Sequence, residues 1–295
     1  MSTKQRNLKA LIQRGKIVAA PGAYDALSAL LIEQAGFDAI YLTGNGQAAS
    51  MLGLPDVGLI TLTEMAERVR AIRAICTAPL IADADVGYGS LINVRRAVRE
   101  LEAAGASAIQ LEDQVSPKKC GHEPGRSLVA VDEMVQRLRA AVDGRQNPDT
   151  LIIARTDART TYGLAEAIRR GCAYATAGAD VIFVESPETE AELQEVTKSI
   201  PVPTLANMVE TGRTPYLSAR RLGELGFAVA IYPASGFLAA TYAVRAAMEQ
   251  LRRHGRIEDM SRLVTLQEYH NVLGFSTYAA LEEKLSARTA DTVDA

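Results

Sequence analysis

The chain has 295 residues, 48% of them hydrophobic and 23% charged, with a formal net charge of −3. That is the composition of a soluble globular protein, long enough to bury most of its unfolded surface without disulfides or a structural metal. Basic and acidic residues are interspersed, so no global field favours nucleic acid or an anionic membrane. Apolar runs such as residues 228–232 are far too short to span a bilayer, and the polar, basic residues 1–14 are unlike a secretory signal. Cys76, Cys120 and Cys172 are widely and oddly spaced, which suits a reducing compartment and matches no zinc pattern. A cytoplasmic enzyme is the expectation.

In chain order, short apolar segments alternate with helical stretches. The predicted strands are residues 17–20, 39–42, 80–82, 108–111, 151–154, 181–184, 204–206 and 229–231. Between them apolar residues recur at i, i+3, i+4 and i+7, as over 27–35, 62–75 and 131–142, the period of helices packed on one face. Gly36, Gly105, Gly178 and Gly226 each stand a few residues before a strand, where a helix C-cap is expected. Strands buried on both faces with helical crossovers predict a parallel sheet. Eight such units predict a closed α/β barrel of the (β/α)₈ TIM type rather than an open doubly wound sheet. The pattern stays helical after the eighth strand, through 239–253 and 260–285, one segment more than a barrel needs, and residues 286–295 are polar. The reading is a single barrel domain over 1–295, with 256–285 as a C-terminal helical extension that packs on the barrel's own outside or reaches a neighbouring subunit.

In such barrels the active site lies at the C-terminal ends of the strands. The residues there are Thr43, Gly44 and Asn45, then Asp83 and Asp85, Glu112, Arg155 and Asp157, Glu185 and Asn207. Polar residues often simply mark where strands stop. Several acids converging with an arginine need a further reason, because unpaired like charges in one cavity are costly. A hard cation removes the conflict. Asp83 and Asp85 are two residues apart, on one side of an extended chain. With Glu112, and Asp56 from the 54–58 loop, they make an all-oxygen set that favours Mg²⁺, or Mn²⁺, over zinc.

After the fourth strand, residues 117–126 place a thiol and an imidazole, Cys120 and His122, among Lys118, Lys119 and Arg126, flanked by glycines and prolines. Such a loop could close over a bound anion. A lone cysteine is more often a small buried hydrophobe; Cys120 lies instead in a polar, basic loop, a setting that lowers a thiol pKa and raises its reactivity. Cys76 and Cys172 fall within helical patterns and read as structural.

Taken together, the segment Leu111-Glu-Asp-Gln, the loop Lys118-Lys-Cys-Gly-His, Asp83-Ala-Asp-Val-Gly and Ala154-Arg-Thr-Asp resemble the isocitrate lyase/phosphoenolpyruvate mutase superfamily. The resemblance runs from about residue 22 to 285, and the Lys-Lys-Cys-Gly-His loop points to its lyase side. It implies a (β/α)₈ barrel whose last helix is swapped between paired subunits of a homotetramer, acting on a small-molecule carboxylate with Mg²⁺. By motif, Asp83 and Asp85 would belong to the metal site, with Glu112 and Asp56 holding its waters. Thr43, Gly44, Asn45 and Arg155 would meet the substrate's 2-hydroxy or 2-oxo carboxylate, although the lyase branch usually reads Ser-Gly-Gly where this chain has Thr43-Gly44-Asn45. Glu185 and Asn207 match further substrate contacts, and Gly121 and His122 belong to the gating loop. The implied chemistry removes the proton of a 2-hydroxyl, for which Tyr41 is the available phenol, and breaks the C2–C3 bond. Arg155 and His122 would stabilise the carbanion and Cys120 would protonate it.

Methylisocitrate lyases carry two further arginines for a tricarboxylate; at those positions this chain has Leu238 and Leu266, which cannot pair with a carboxylate. The segment 205–215 is similar instead to the dimethylmalate lyase, oxaloacetate hydrolase and carboxyphosphonoenolpyruvate mutase branch. The resulting expectation is cleavage of a 2-alkylmalate, with Leu238 and Phe237 beside its alkyl group. Methylisocitrate cleavage, oxaloacetate hydrolysis and phosphonomutase chemistry are the alternatives. A Schiff-base aldolase lacks a lysine at a strand end, and a bare scaffold would not need the acidic strand ends.

Overall fold

The computed structural model describes residues 7–121 and 125–290, and the chain divides into two compact units, Met1–Ala240 and Thr241–Ala295. In the first unit eight strands close a barrel in sequence order: β1 (Val18–Ala23), β2 (Ile40–Leu42), β3 (Leu80–Asp83), β4 (Ala108–Glu112), β5 (Leu151–Thr156), β6 (Val181–Val184), β7 (Thr204–Asn207) and β8 (Val229–Tyr232). All pairs are parallel, and β1 closes on β8 with Val18 opposite Val229. The helices are α1 (Leu8–Gln13), α2 (Ala26–Gln34), α3 (Gly44–Gln47), α4 (Leu62–Arg73), α5 (Leu91–Ala104), α6 (Val131–Gly144), α7 (Ala158–Tyr162), α8 (Leu164–Thr176), α9 (Glu190–Ser199) and α10 (Ala219–Glu224). A π-helical turn, Ala48–Leu52, follows α3.

The strands are buried on both faces because the barrel has two cores. Tyr41, Ile81, Ile153, Phe183, Leu205 and Val229 fill the interior, and α1 adds Leu8 and Leu11 at the end where the strands begin. The larger core lies between strands and helices, where Val69, Ile72, Leu101, Leu138 and Tyr174 are almost fully buried. Truncating any one such leucine or isoleucine to alanine costs about 2–5 kcal/mol. The predicted C-cap glycine at 105 sits at the end of α5 with φ 106°, a conformation disfavoured for other residues. A β-carbon there would also stand 2.2 Å from Arg73 Cγ.

Several strands run further than the apolar pattern predicts. Asp83, Glu112, Arg155 and Asn207 are strand residues, paired with Gln110, Arg155, Phe183 and Ile231 on neighbouring strands. The ladder is made by backbone, so it continues after the side chains turn polar at the barrel mouth.

α11 (Ser235–His254) follows β8. In the second unit a 3₁₀ turn (Met260–Arg262) precedes α12 (Leu266–Leu273) and α13 (Phe275–Ala290). The helical run predicted over 260–285 is thus interrupted, once at Thr265, whose side chain caps α12, and once at Gly274 with φ 73°. Among the described residues no helix is long and apolar enough to cross a membrane.

Candidate active site

The strand C-termini open into a cavity of about 460 Å³. Tyr41, Thr43, Asn45, Asp56, Asp83, Cys120, Gly121, Arg155, Glu185, Asn207 and Leu238 all line it. The predicted site residues therefore meet in one place although they come from the ends of seven strands and the loops that follow them. Three do not reach the wall. Gly44 sits just behind Asp83, where a β-carbon would stand 2.8 Å from Asp83 Oδ2 and displace that carboxylate. Glu112 is buried with its Oε2 3.3 Å from Arg155 Nη1. Asp85 faces an adjoining cavity shared with Lys118 and Tyr88. His122 lies outside the described residues, and Leu266 belongs to the second unit.

Lys118 organises the acidic end. Its ammonium pairs with Asp56 and stands 2.8 Å from Asp85 Oδ1, with only 3% of the side chain exposed. Burial alone would lower that lysine, but Asp85, Glu112 and Asp56 outweigh it and hold the pKa well above the ordinary value. Burial pushes Asp85 up to about 6 despite the opposing pull of Lys118. Glu112 is also raised well above its usual range, by burial against the pull of Arg155, and its Oε1 is buried without a hydrogen-bond partner. Asp83 accepts from Tyr41 at 3.3 Å and from the Asp85 backbone N–H at 3.1 Å. Burial, then the Asp83 charge, lifts the Tyr41 phenol well above its ordinary value.

Arg155 is fixed by three carboxylates. It donates to Asp157 through Nε at 3.0 Å and Nη2 at 2.8 Å, and lies 3.3 Å from Glu112 and 3.6 Å from Glu185. Asp157 also pairs with Arg126; burial would raise it, but Arg155 and Arg126 bring it below its ordinary value. Behind this sits Asp113, which accepts from Thr156, Tyr174, Arg170 and the Asp157 backbone at 2.7–3.0 Å. Glu185 accepts from Asn207 Nδ2 at 3.0 Å. Cys120 is half-buried, with the Asn45 amide 3.7 Å from its sulfur. The adjacent Gly121 lies so close to Arg155 that a β-carbon would stand 2.3 Å from its Nη2.

Among the described residues no three His, Cys, Asp or Glu side chains form a ready-made metal cage. Lys118 instead draws Asp56 and Asp85 together. The donor set still fits a hard divalent cation. It offers oxygens alone, one of them the unpartnered Glu112 Oε1, and Mg²⁺ keeps most of its waters, taking about one or two protein carboxylates directly.

Sequence reasoning missed the wall formed by Val209–Arg213, Phe183, Pro233 and Ala234. Residues 209–213 belong to a turn after β7, where Thr211 has φ 64° and the Gly212 N–H donates to Val209 O at 3.0 Å. The backbone folds these side chains back over the mouth, which no hydrophobic period announces.

A closed parallel barrel with carboxylates, a clamped arginine and a thiol at its C-terminal mouth defines a (β/α)₈-barrel enzyme. Residues 8–252 match the phosphoenolpyruvate phosphomutase family, and the chain belongs to that family within the isocitrate lyase/phosphoenolpyruvate mutase superfamily. It is 50% identical over 276 residues to 2,3-dimethylmalate lyase of Eubacterium barkeri, covering 93% of this chain and 96% of the relative. It is 41% identical over 285 residues to a 2-methylisocitrate lyase of Aeropyrum pernix, covering 96% and 92%. The solved structure of oxaloacetate acetylhydrolase with 3,3-difluorooxalacetate superposes with TM-score 0.91 at 32% identity, over 95% of this chain and 96% of that one. Phosphonopyruvate hydrolase in complex with oxalate and Mg²⁺ superposes with TM-score 0.84 at 35% identity, covering 94% and 96%.

Proposed function

We propose that this enzyme is a divalent-metal-dependent carbon–carbon lyase that cleaves a 2-alkylmalate such as 2,3-dimethylmalate to pyruvate and a second carboxylate. Mg²⁺ is the cation proposed, with Mn²⁺ able to replace it. The observation that carries the reading is the cavity's two-sided lining. Asp83, Asp56 and Arg155 share it with an apolar wall of Val209, Ile231, Pro233, Phe237 and Leu238. The polar side suits a 2-hydroxy carboxylate and the apolar side an alkyl substituent. A tricarboxylate would need a cation where Leu238 stands.

The residues then divide the work. Asp83 and Asp85 would hold the cation, with Asp56 and Glu112 beside them to support it. A bound divalent cation supplies charge that fixes the carboxylate and polarises the C2 oxygen. Thr43, Gly44 and Asn45, with Arg155, orient the C1 carboxylate. Tyr41 is the phenol nearest this end and would take the C2 hydroxyl proton as a phenolate, a form that burial and the Asp83 charge disfavour and a bound cation would favour. As the C2–C3 bond breaks, its electron pair passes to C3, giving the enolate of the departing carboxylate. Glu185, Asn207 and Arg155 line that space, and Cys120 delivers a proton to C3. Gly121 lets the Cys120 loop lie against Arg155.

The proposed assembly is a homotetramer of helix-swapped dimers. The test of the reaction is product analysis with 2,3-dimethylmalate, 2-methylisocitrate and oxaloacetate in the presence of Mg²⁺. Pyruvate from dimethylmalate with methylisocitrate inert is the expected result. Pyruvate and succinate from methylisocitrate would overturn the weight placed on Leu238, and oxalate plus acetate from oxaloacetate alone would assign a hydrolase.

A further inference from the structure

We propose that Arg213 binds the second carboxylate of the substrate and so makes the site selective for dicarboxylates; the inference rests on the dicarboxylate reading above. A dicarboxylate brings two anionic ends, and burying either one unpaired is costly. Among the described residues the cavity wall carries two cationic side chains, Arg155 and Arg213. Arg155 is committed. It is bidentate to Asp157 and also lies within 3.3 Å of Glu112 and 3.6 Å of Glu185. Three carboxylates around one guanidinium leave little positive field for a further anion.

Arg213 differs in every respect. Among the described residues it has no carboxylate within ion-pair distance, although Glu210 lines the same cavity. Glu210 accepts at Oε1 from Tyr216 at 3.1 Å and from the Ser235 hydroxyl, while its Oε2 is buried without a hydrogen-bond partner. The Arg213 side chain is exposed, and the backbone that carries it is held. Met208 N–H is tied to Ile231 O on β8 at 2.9 Å, and the turn through Thr211 and Gly212 then carries Arg213 to the cavity wall.

Asp83 ends β3 and the Arg213 turn follows β7, four strands away around an eight-stranded closed barrel, on the opposite side of the mouth. A 2-hydroxy acid held by its C1 end on the Asp83 side has Arg213 across the mouth from it. Its alkyl group meets Phe237 and Leu238. A guanidinium left free at that point is suited to a carboxylate, which it can grip through two parallel N–H bonds. With one carboxylate at the Asp83 end and the other at Arg213, the described part of the cavity wall offers no further unclamped cation for a third.

The test compares binding of malate and lactate, two 2-hydroxy acids of which only malate carries a second carboxylate, to the full-length protein with Mg²⁺ by calorimetry. The native chain should prefer malate. Arg213→Met should weaken malate binding roughly tenfold to hundredfold while leaving lactate binding unchanged, the scale of a lost charged hydrogen bond. Arg213→Lys should restore part of the preference. A malate-to-lactate ratio unchanged in Arg213→Met would overturn the proposal, and so would an equal loss for both ligands. The native chain failing to form pyruvate from any alkylmalate would instead remove the lyase reading, and the binding ratio would still decide the role of Arg213.

Discussion

Cys76 and Cys120 carry the same thiol in opposite settings. Cys76 is 2% exposed, and burial, followed by the charge of Glu33, pushes it up to about 11. A raised thiol pKa means less thiolate, so Cys76 is unreactive at pH 8 and becomes nucleophilic only as the pH approaches 11. Brief iodoacetamide treatment of the native protein at pH 8 should label Cys120 and leave Cys76 unmodified in peptide mass spectrometry; equal labelling would contradict the burial argument. Cys120→Ser should retain substrate affinity and lose roughly 10²- to 10⁴-fold in turnover if its thiol protonates the carbanion. Unchanged turnover removes that role and leaves the acidic end of the site untouched. That Cys76 is structural was legible in its apolar surroundings, although it lies just past the end of α4 rather than within a helix. Asp113 was not legible as a support. Its partners Arg170 and Tyr174 are more than fifty positions away, and nothing local marks them as facing one carboxylate.

At the scale of elements, the loop after β4 is held in two ways. Its base is stapled, with Gln114 bonded to Lys119 in both directions at 2.9 Å and Val115 N–H bonded to Ser127 O at 2.8 Å. Its middle is drawn down by Lys118 onto Asp56 and Asp85, which belong to other loops. Removing one partner from a buried ion pair costs about 3–5 kcal/mol because the other charge is left uncompensated. Lys118→Met should therefore lower the melting temperature of the metal-free protein by roughly 10 °C. Added Mg²⁺ should recover much of that loss by supplying the missing positive charge. The pH dependence has a definite sign. Asp85, already lifted to about 6 by burial, rises further once Lys118 is gone. A carboxyl whose folded pKa exceeds its unfolded value holds its proton more tightly when folded, so stability is greatest at low pH and is lost as pH rises through the folded pKa. The variant should thus melt progressively lower between about pH 5 and 8 in EDTA. A flat profile would mean that Lys118 is not the counter-charge of these acids. The eight strands were legible as apolar segments and their ends as polar punctuation. The Lys118 pair and the Arg213 turn were not, since both depend on how loops from different βα units fold back over the mouth.

The whole molecule presents an imbalance between its two units. The barrel unit has two well-filled cores, whereas α12 has no buried residue of its own. Val264, Leu266 and Tyr278 are each about 70% exposed, and Phe275, Leu281 and Leu285 are exposed too. The sequence showed these residues as a surplus helical segment; an amphipathic period does not say what covers its apolar face. Exposed apolar surface on this scale marks an interaction site, and in a symmetric homo-oligomer the same patch recurs on each subunit. The proposed tetramer supplies that cover. Light scattering coupled to size exclusion should therefore give four times the 31.6 kDa chain mass. A double variant, Leu266→Glu with Tyr278→Glu, should shift the protein to smaller species, because buried unpaired carboxylates oppose association. Neither substitution touches a barrel core, so the far-ultraviolet spectrum should be preserved. A native chain that runs as a monomer would show that these helices stay exposed in solution, and an unshifted variant would place the subunit contact elsewhere on the molecule.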